Sequence, residues 1–225
     1  MRFFVFLLFL FALPAGVFAQ PVPELDPDSE APSIEDLDPM LQHPDENPSQ
    51  SGQEQGKSDA PGSDGREPGL NDLYSQLAEA PDDTSAARIA RRIQITWLES
   101  GSATVDLLMS RSAQALKSSD YGLALDLLDV VVTLAPDYAE GWNRRATVYY
   151  LQEDFGRSLV DIERTLALEP RHWGALSGLA MIQRRLGEKD RALATFHQIL
   201  KIHPGLSNAR DAVEALEKGS EGEGI

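Results

Sequence analysis

The chain contains no cysteine. Disulfides, thiolate zinc sites, iron–sulfur clusters, a cysteine nucleophile and a lipid-acylated cysteine are therefore excluded. Histidine is scarce: His43, His172, His197 and His203 are the whole set, and no HExxH or paired-histidine spacing joins them. A Gly-x-Ser-x-Gly elbow and a Gly-rich phosphate loop are also missing. No catalytic residue, metal or cofactor is expected, and the reading is of a protein that is not an enzyme. Basic residues are outnumbered 36 to 20 by acidic ones, giving a formal charge of -16. A nucleic-acid partner is disfavoured, because displacing counterions from phosphates needs a cationic surface.

Long apolar runs are absent except at the start. Arg2 precedes an unbroken apolar stretch from Phe3 to Leu13, Pro14 and Gly16 break it, and Val17-Phe18-Ala19 offers small residues at the sites a signal peptidase reads. Residues 1–19 are expected to be a secretory signal peptide cleaved after Ala19, since the stretch is shorter than the roughly 20 residues that span a bilayer. No stable membrane span is expected after cleavage. Residues 20–68 hold nine prolines, thirteen acidic residues and only Lys57 and Arg66 as bases. Such a segment buries too little apolar surface to offset the entropy of ordering, so it is expected to be a disordered acidic linker. Within it, Ile34 to Leu41 mixes apolar and acidic residues and is the one patch suited to ordering on a partner. From 69 to 218 apolar residues recur with helical spacing, enough for one real core. The Gly/Glu-rich tail, 219–225, is expected to fray.

The folded part has a period. Pro136, Pro170 and Pro204 stand 34 residues apart and phase three blocks, 105–138, 139–172 and 173–206. Leu108, Trp142 and Leu176 share a column. Small residues share two others: Ser112, Ala146 and Ala180, then Ala124, Ser158 and Ala192. Leu128, Ile162 and Phe196 form a large apolar column. Each block reads as two amphipathic helices, stopped by a proline that cannot continue the ladder. Asp137 with Glu140 suggests a capping pair, and Ser102 a cap just after Gly101. Upstream, Leu70, Leu73, Tyr74 and Leu77 form one helical face and Ile89, Ile93 and Trp97 another, read as a degenerate repeat over 71–104. A closing helix is expected over 207–218. Arg111 and Arg145 occupy an ordinarily apolar column, and Asp126, Asp129, Asp161 and Glu163 are their expected ion-pair partners. Glu169-Pro170-Arg171-His172-Trp173 reads as a helix cap and turn.

These columns resemble the tetratricopeptide repeat family, most clearly through Trp142, Ala146, Tyr149, Ser158, Ile162 and Pro170. The resemblance implies an all-α, right-handed superhelical solenoid of helix-turn-helix hairpins: three clear repeats, a degenerate N-terminal hairpin and a C-terminal capping helix. It also implies that first helices line a concave groove. The groove candidates are Asp106, Met109 and Ala113, then Glu140, Asn143, Arg144, Thr147 and Tyr150, then Ser177, Met181 and Arg184. The protein-binding set among them is Glu140, Asn143, Arg144, Thr147, Tyr150, Ser177, Met181 and Arg184. A subgroup of the family clamps C-terminal carboxylates; Met109, Ala113, Arg144, Gly174 and Gly178 stand at those positions here and do not form that clamp. The stretch Ala-Glu-Gly-Trp-Asn-Arg-Arg-Ala-Thr (139–147) is similar to small exported repeat proteins of alphaproteobacteria, which implies a Gram-negative periplasm. The leading expectation is an adaptor holding a protein or peptide partner in the cell envelope. The alternatives are a solenoid that self-associates through an exposed end, as a homo-oligomer, and a regulatory subunit of an envelope enzyme.

If 1–19 is removed on export, the mature chain begins at Gln20. Intact-mass analysis of the protein recovered from envelope extracts checks this, and a chain still starting at Met1 contradicts it.

Overall fold

A computed structural model describes residues 66–222, with side chains described over 69–218. The expected signal peptide and the linker up to residue 65 lie outside the described residues. Among the described residues the chain is a series of helices with no strand: α1 Arg66–Ala78, α2 Asp83–Leu98, α3 Ala103–Lys117, α4 Tyr121–Leu134, α5 Ala139–Leu151, α6 Phe155–Leu168, α7 Trp173–Arg185, α8 Lys189–Ile202 and α9 Ser207–Gly222. The last helix runs past the expected end at 218.

The 34-residue period is visible in the caps. Asp120 and Asp154 accept from Leu123 N–H and Arg157 N–H and open α4 and α6. Glu188, one period on, makes no side-chain cap, and its longer carboxylate pairs with Arg191 instead. The second helices end at Ala135, Glu169 and His203, each turned out of the helical region before a repeat proline, whose ring disfavours a helical residue ahead of it. Within each hairpin the turn uses a left-handed residue in one column: Ser119 at φ 57, Glu153 at φ 57 and Gly187 at φ 72. Ser102 caps α3 as expected, accepting from Val105 N–H. The Asp137–Glu140 capping pair does not form. The cap of α5 is Tyr138 without a side-chain bond, and the Glu140 carboxylate turns inward.

The small columns are where the helices touch. Ser112, Ala146 and Ala180, and likewise Ala124, Ser158 and Ala192, are all buried. Ser158 Oγ even donates to the Ala146 carbonyl at 2.8 Å, which only a close helix pair allows. Leu128, Ile162 and Phe196 fill the space between. Three hairpins, α3–α4, α5–α6 and α7–α8, stack in series, and α9 closes the stack on α8. α5 and α7 also pack on each other, so the first helices take the inner side of the curve.

The upstream pair forms a hairpin as read, but it does not sit where a repeat at 71–104 would. Position 102, one period before Pro136, is Ser rather than Pro, and the chain swings away through Gly101 at φ 77. The hairpin folds back instead: α1 packs on α8, and α2 on α5. Its apolar face, Leu70, Leu73, Tyr74, Leu77, Ala86, Ala90 and Ile93, joins one core with Trp173, Leu176, Phe196, Ile199 and Leu206. Gly205 permits this seating, since a Cβ there would stand 3.2 Å from Ala86 Cβ.

Replacing Ala146 by Leu is expected to overpack the α5–α6 contact and cost about 1–3 kcal/mol in chemical denaturation. A variant as stable as wild type would mean that the column is not a close contact.

Candidate functional site

The inner side of the stack is organised by one buried carboxylate. Glu140 lies in the first turn of α5 and is shielded from water. Asn143 Nδ2 donates to it at 3.1 Å and Arg144 Nε at 2.5 Å, the two positions one helical turn away. The third donor comes from the next hairpin. His172 is the N-cap of α7; its Nδ1 accepts from Ala175 N–H at 3.1 Å, so the ring proton sits on Nε2 and is donated to Glu140, also at 3.1 Å. Burial by itself raises the Glu140 carboxyl; the Arg144 charge and the His172 hydrogen bond outweigh it and hold it at about 2.

The returning hairpin covers this network. The Trp97 ring, near the end of α2, stacks on His172 at 4.1 Å and 16° and meets Trp173 at 4.2 Å. Tyr74 of α1 packs edge-on against Trp173 at 6.3 Å. Arg171 lies over the Tyr74 ring at 3.8 Å and donates to Asn71 at 2.8 Å. Tyr138 Oη donates to the Leu98 carbonyl at 2.9 Å, and Arg210 pairs with Asp83 at 3.4 Å. Every one of these contacts falls at a junction between a second helix and the next first helix, or just after it. The Glu169–Trp173 stretch is a cap and turn, as expected, and is also the seat of the hairpin.

The sequence-predicted binding residues are accordingly brought together but enclosed. Glu140, Asn143, Arg144, Thr147, Tyr150, Ser177 and Met181 are buried, and Arg184 is exposed. Thr147 donates to the Asn143 carbonyl and Ser177 to the Trp173 carbonyl, so both hydroxyls are satisfied within their own helices. Tyr150 packs on Phe155, with ring centres 5.7 Å apart, in the cluster that includes Met181. Of the first-block candidates, Asp106 is exposed, accepting from Ser100 Oγ at 2.5 Å; Met109 is buried and Ala113 half-buried. The enclosure arises because α5 is packed by α4, α6 and α7 and, on its remaining side, by α2. Trp97, Tyr74, Arg171 and His172 were not assigned to the site from sequence. The signal for them was the aromatic and apolar face of an upstream pair that lacks the repeat proline.

Outside the inner side, Arg145 pairs with Asp161 at 2.7 Å and with Asp129 at 2.7 Å, as expected. The Asp161 hydrogen bond drives its guanidinium further above the ordinary arginine range. Among the described residues no group of three His, Cys, Asp or Glu could hold a metal ion, and no helix is long and apolar enough to cross a membrane. The arrangement suits docking of helices and segments: its charges are aimed at one another and at helix ends.

No protein-family model matches the chain. A protein of Rhizobium etli described as a TPR repeat-containing protein is 42% identical to it over 147 residues, which cover 65% of this chain and 72% of that relative.

Two acid windows follow from the buried groups. Burial, with Arg210 adding to it, lowers His203 from 6.5 to about 4, so the folded state resists a proton that the unfolded chain accepts. That contribution is complete above pH 6.5 and falls away toward pH 4, a loss on the order of 3 kcal/mol. The Glu140 contribution is present above pH 4.5 and is lost as the pH falls through about 2. His203→Gln is expected to flatten the first window. Glu140→Gln is expected to flatten the second, and to cost about 3–5 kcal/mol at neutral pH by removing one member of the buried Glu140–Arg144 ion pair. Melting curves against pH check both, and a wild-type profile that is flat between pH 6.5 and 4 contradicts the first.

Proposed function

Because the chain belongs to the tetratricopeptide repeat proteins, we propose that it is a non-catalytic interaction module of the cell envelope whose inner surface its own α1–α2 hairpin covers, and which receives a partner segment there when the hairpin lifts. The observation that carries this reading is the stack of Trp97 on His172 and Trp173: the hairpin sits on the residue whose Nε2 meets Glu140, the carboxylate that also gathers Asn143 and Arg144. Lifting it bares a charged network ringed by aromatic side chains, a combination suited to an extended or helical protein segment. Arg184, already exposed, extends that surface. Export is part of the proposal and rests on the apolar start of the chain; its Gram-negative periplasmic destination rests on the likeness to the Rhizobium etli relative.

Tyr74 and Trp97 are the aromatic side chains by which the hairpin meets Trp173, so their loss loosens its seat on the shared core while leaving the α3–α6 contacts untouched. In a Tyr74→Ala, Trp97→Ala double variant, hydrogen exchange is expected to rise in α1, α2 and the first turns of α5 and α7, while α4 and α6 keep their protection. A crosslinker placed at Arg184 in cells should then capture more of the same envelope protein than in wild type. Raised exchange with unchanged capture would leave the hairpin a cover but not the gate to a binding surface.

A further inference from the structure

The hairpin that covers the inner side turns a basic face outward. Arg88, Arg91, Arg92 and Ile95 stand at steps of three, one and three residues along α2, so they share one side of the helix. The opposite side, with Ala86, Ala90 and Ile93, is the one buried in the shared core. All three arginines are exposed, and Ile95 beside them is 42% exposed. None of the three makes an ion pair among the described residues. The carboxylates nearest along the chain are already engaged. Asp82 caps α2 by accepting from Ser85 N–H at 2.8 Å, Asp83 faces Arg210 at 3.4 Å, and Asp72 of α1 accepts from Gln76 at 2.7 Å. Asp82 still feels the Arg88 charge, from beyond ion-pair distance. Most other arginines are matched: Arg144, Arg145, Arg157, Arg185, Arg191 and Arg210 each face a carboxylate. Arg111, Arg164 and Arg184 are not, but they stand singly on separate helices.

The sequence ahead of the hairpin supplies the missing charge. Between Glu24 and Asp38 it carries seven acidic residues and no basic one. Ile34, Leu37 and Leu41 lie among and just after them, as apolar partners for Ile95. The tether is short, since 27 residues separate Asp38 from Arg66, where α1 starts. A tether of that length spans about 30 Å on average. α1 and α2 pack as a hairpin joined by the short turn 79–82, so the start of α1 lies beside the second half of α2, where Arg91, Arg92 and Ile95 are. Covalent linkage holds the acidic segment near that face at a roughly millimolar effective concentration. A second copy, or a separate acidic protein at cellular levels, competes poorly against that.

We infer that the Arg88–Arg91–Arg92–Ile95 face of α2 is the docking site of the chain's own acidic segment 24–41, held by charge and by Ile34 and Leu37 against Ile95. The face is on the outer side of the hairpin, so the outcome does not depend on whether the inner surface receives a partner. Because the chain has no cysteine, Ser33→Cys in the full chain accepts a single nitroxide label. At low salt the label is expected to cut the amide signals of 88–95 about twofold or more while α4 and α6 keep theirs, and the loss should reverse near 1 M salt, where the screening length is about 3 Å. Arg88→Glu, Arg91→Glu, Arg92→Glu changes exposed positions and should abolish the effect with unaltered helical melting. Adding Glu35→Arg, Asp36→Arg and Asp38→Arg to that variant should restore it, which an apolar contact alone would not do. Signal loss that is spread evenly over the surface, or unchanged in the arginine variant, overturns the proposal. So does a loss seen only between labelled and unlabelled chains in a mixture, which gives the face to a second copy. No signal loss at all overturns it too. If the wild type, and not the arginine variant, then sediments with phosphatidylglycerol vesicles, the face belongs to an anionic membrane.

Discussion

Glu140 is a negative charge taken out of water, and the inner half of the molecule is arranged to make that tolerable. A bare carboxylate in such a place would be neutralised or expelled. Here Asn143 and Arg144 answer it from its own helix, and His172 answers it from the next. The last of these matters most for architecture. The imidazole that donates to Glu140 also receives the Ala175 N–H, so one side chain starts α7 and fixes its distance from α5. With both nitrogens engaged at its edge, the ring offers its flat face, and Trp97 lies on it. Repeat spacing, helix start and hairpin docking are tied together at that residue.

Much of this fold was legible in the sequence, because the period leaves marks that physics makes hard to avoid. Helices approach closely only where side chains are small, and the columns of Ala146 and of Ser158 showed where. Arg145 in an apolar column demanded acids within reach, and Asp129 and Asp161 supplied them. The fate of the upstream pair was not legible. Periodicity reveals that Leu73, Tyr74, Ile93 and Trp97 share an apolar face; it does not say which other apolar face they meet. The missing proline at 102 and Gly101 were the local hints, and they change a direction rather than a pattern. The inner side was misjudged as well. Thr147, Tyr150 and Met181 sit in the register of solvent-facing residues, yet Tyr150 and Met181 share a buried cluster with Phe155 and Ile182 of adjacent hairpins, and Thr147 bonds back to its own helix. Asp137 and Glu140 show a subtler limit: a capping spacing was present, but a buried arginine and histidine bound the carboxylate more strongly than a helix end could.

The chain thus treats its two exposed sides differently. Toward the inside of the curve, a hairpin of its own covers the polar and aromatic residues. At the α3–α4 end, nothing of the described chain covers Leu107, Leu123, Val130 and Leu134, which stay exposed. Both conditions have one origin. The segment that would have extended the stack by another repeat was redirected onto its inner side, closing one surface and opening the other.

The hairpin also imposes an order on assembly. Asn71 meets Arg171, Tyr74 meets the same residue, and Asp83 meets Arg210, across sequence separations of 100, 97 and 127 residues. The stacked hairpins are built from neighbours in sequence and close quickly, whereas these contacts carry the loop-closure cost of long-range pairing. Residues 66–98 are made before the repeats on which they dock, so their apolar faces have no seat until the last repeat exists. For that interval Trp97, Ile93 and Leu77 are open to water and to other chains. The cover is therefore the last piece to settle, and the inner surface is bare once in the life of every molecule, before it first closes.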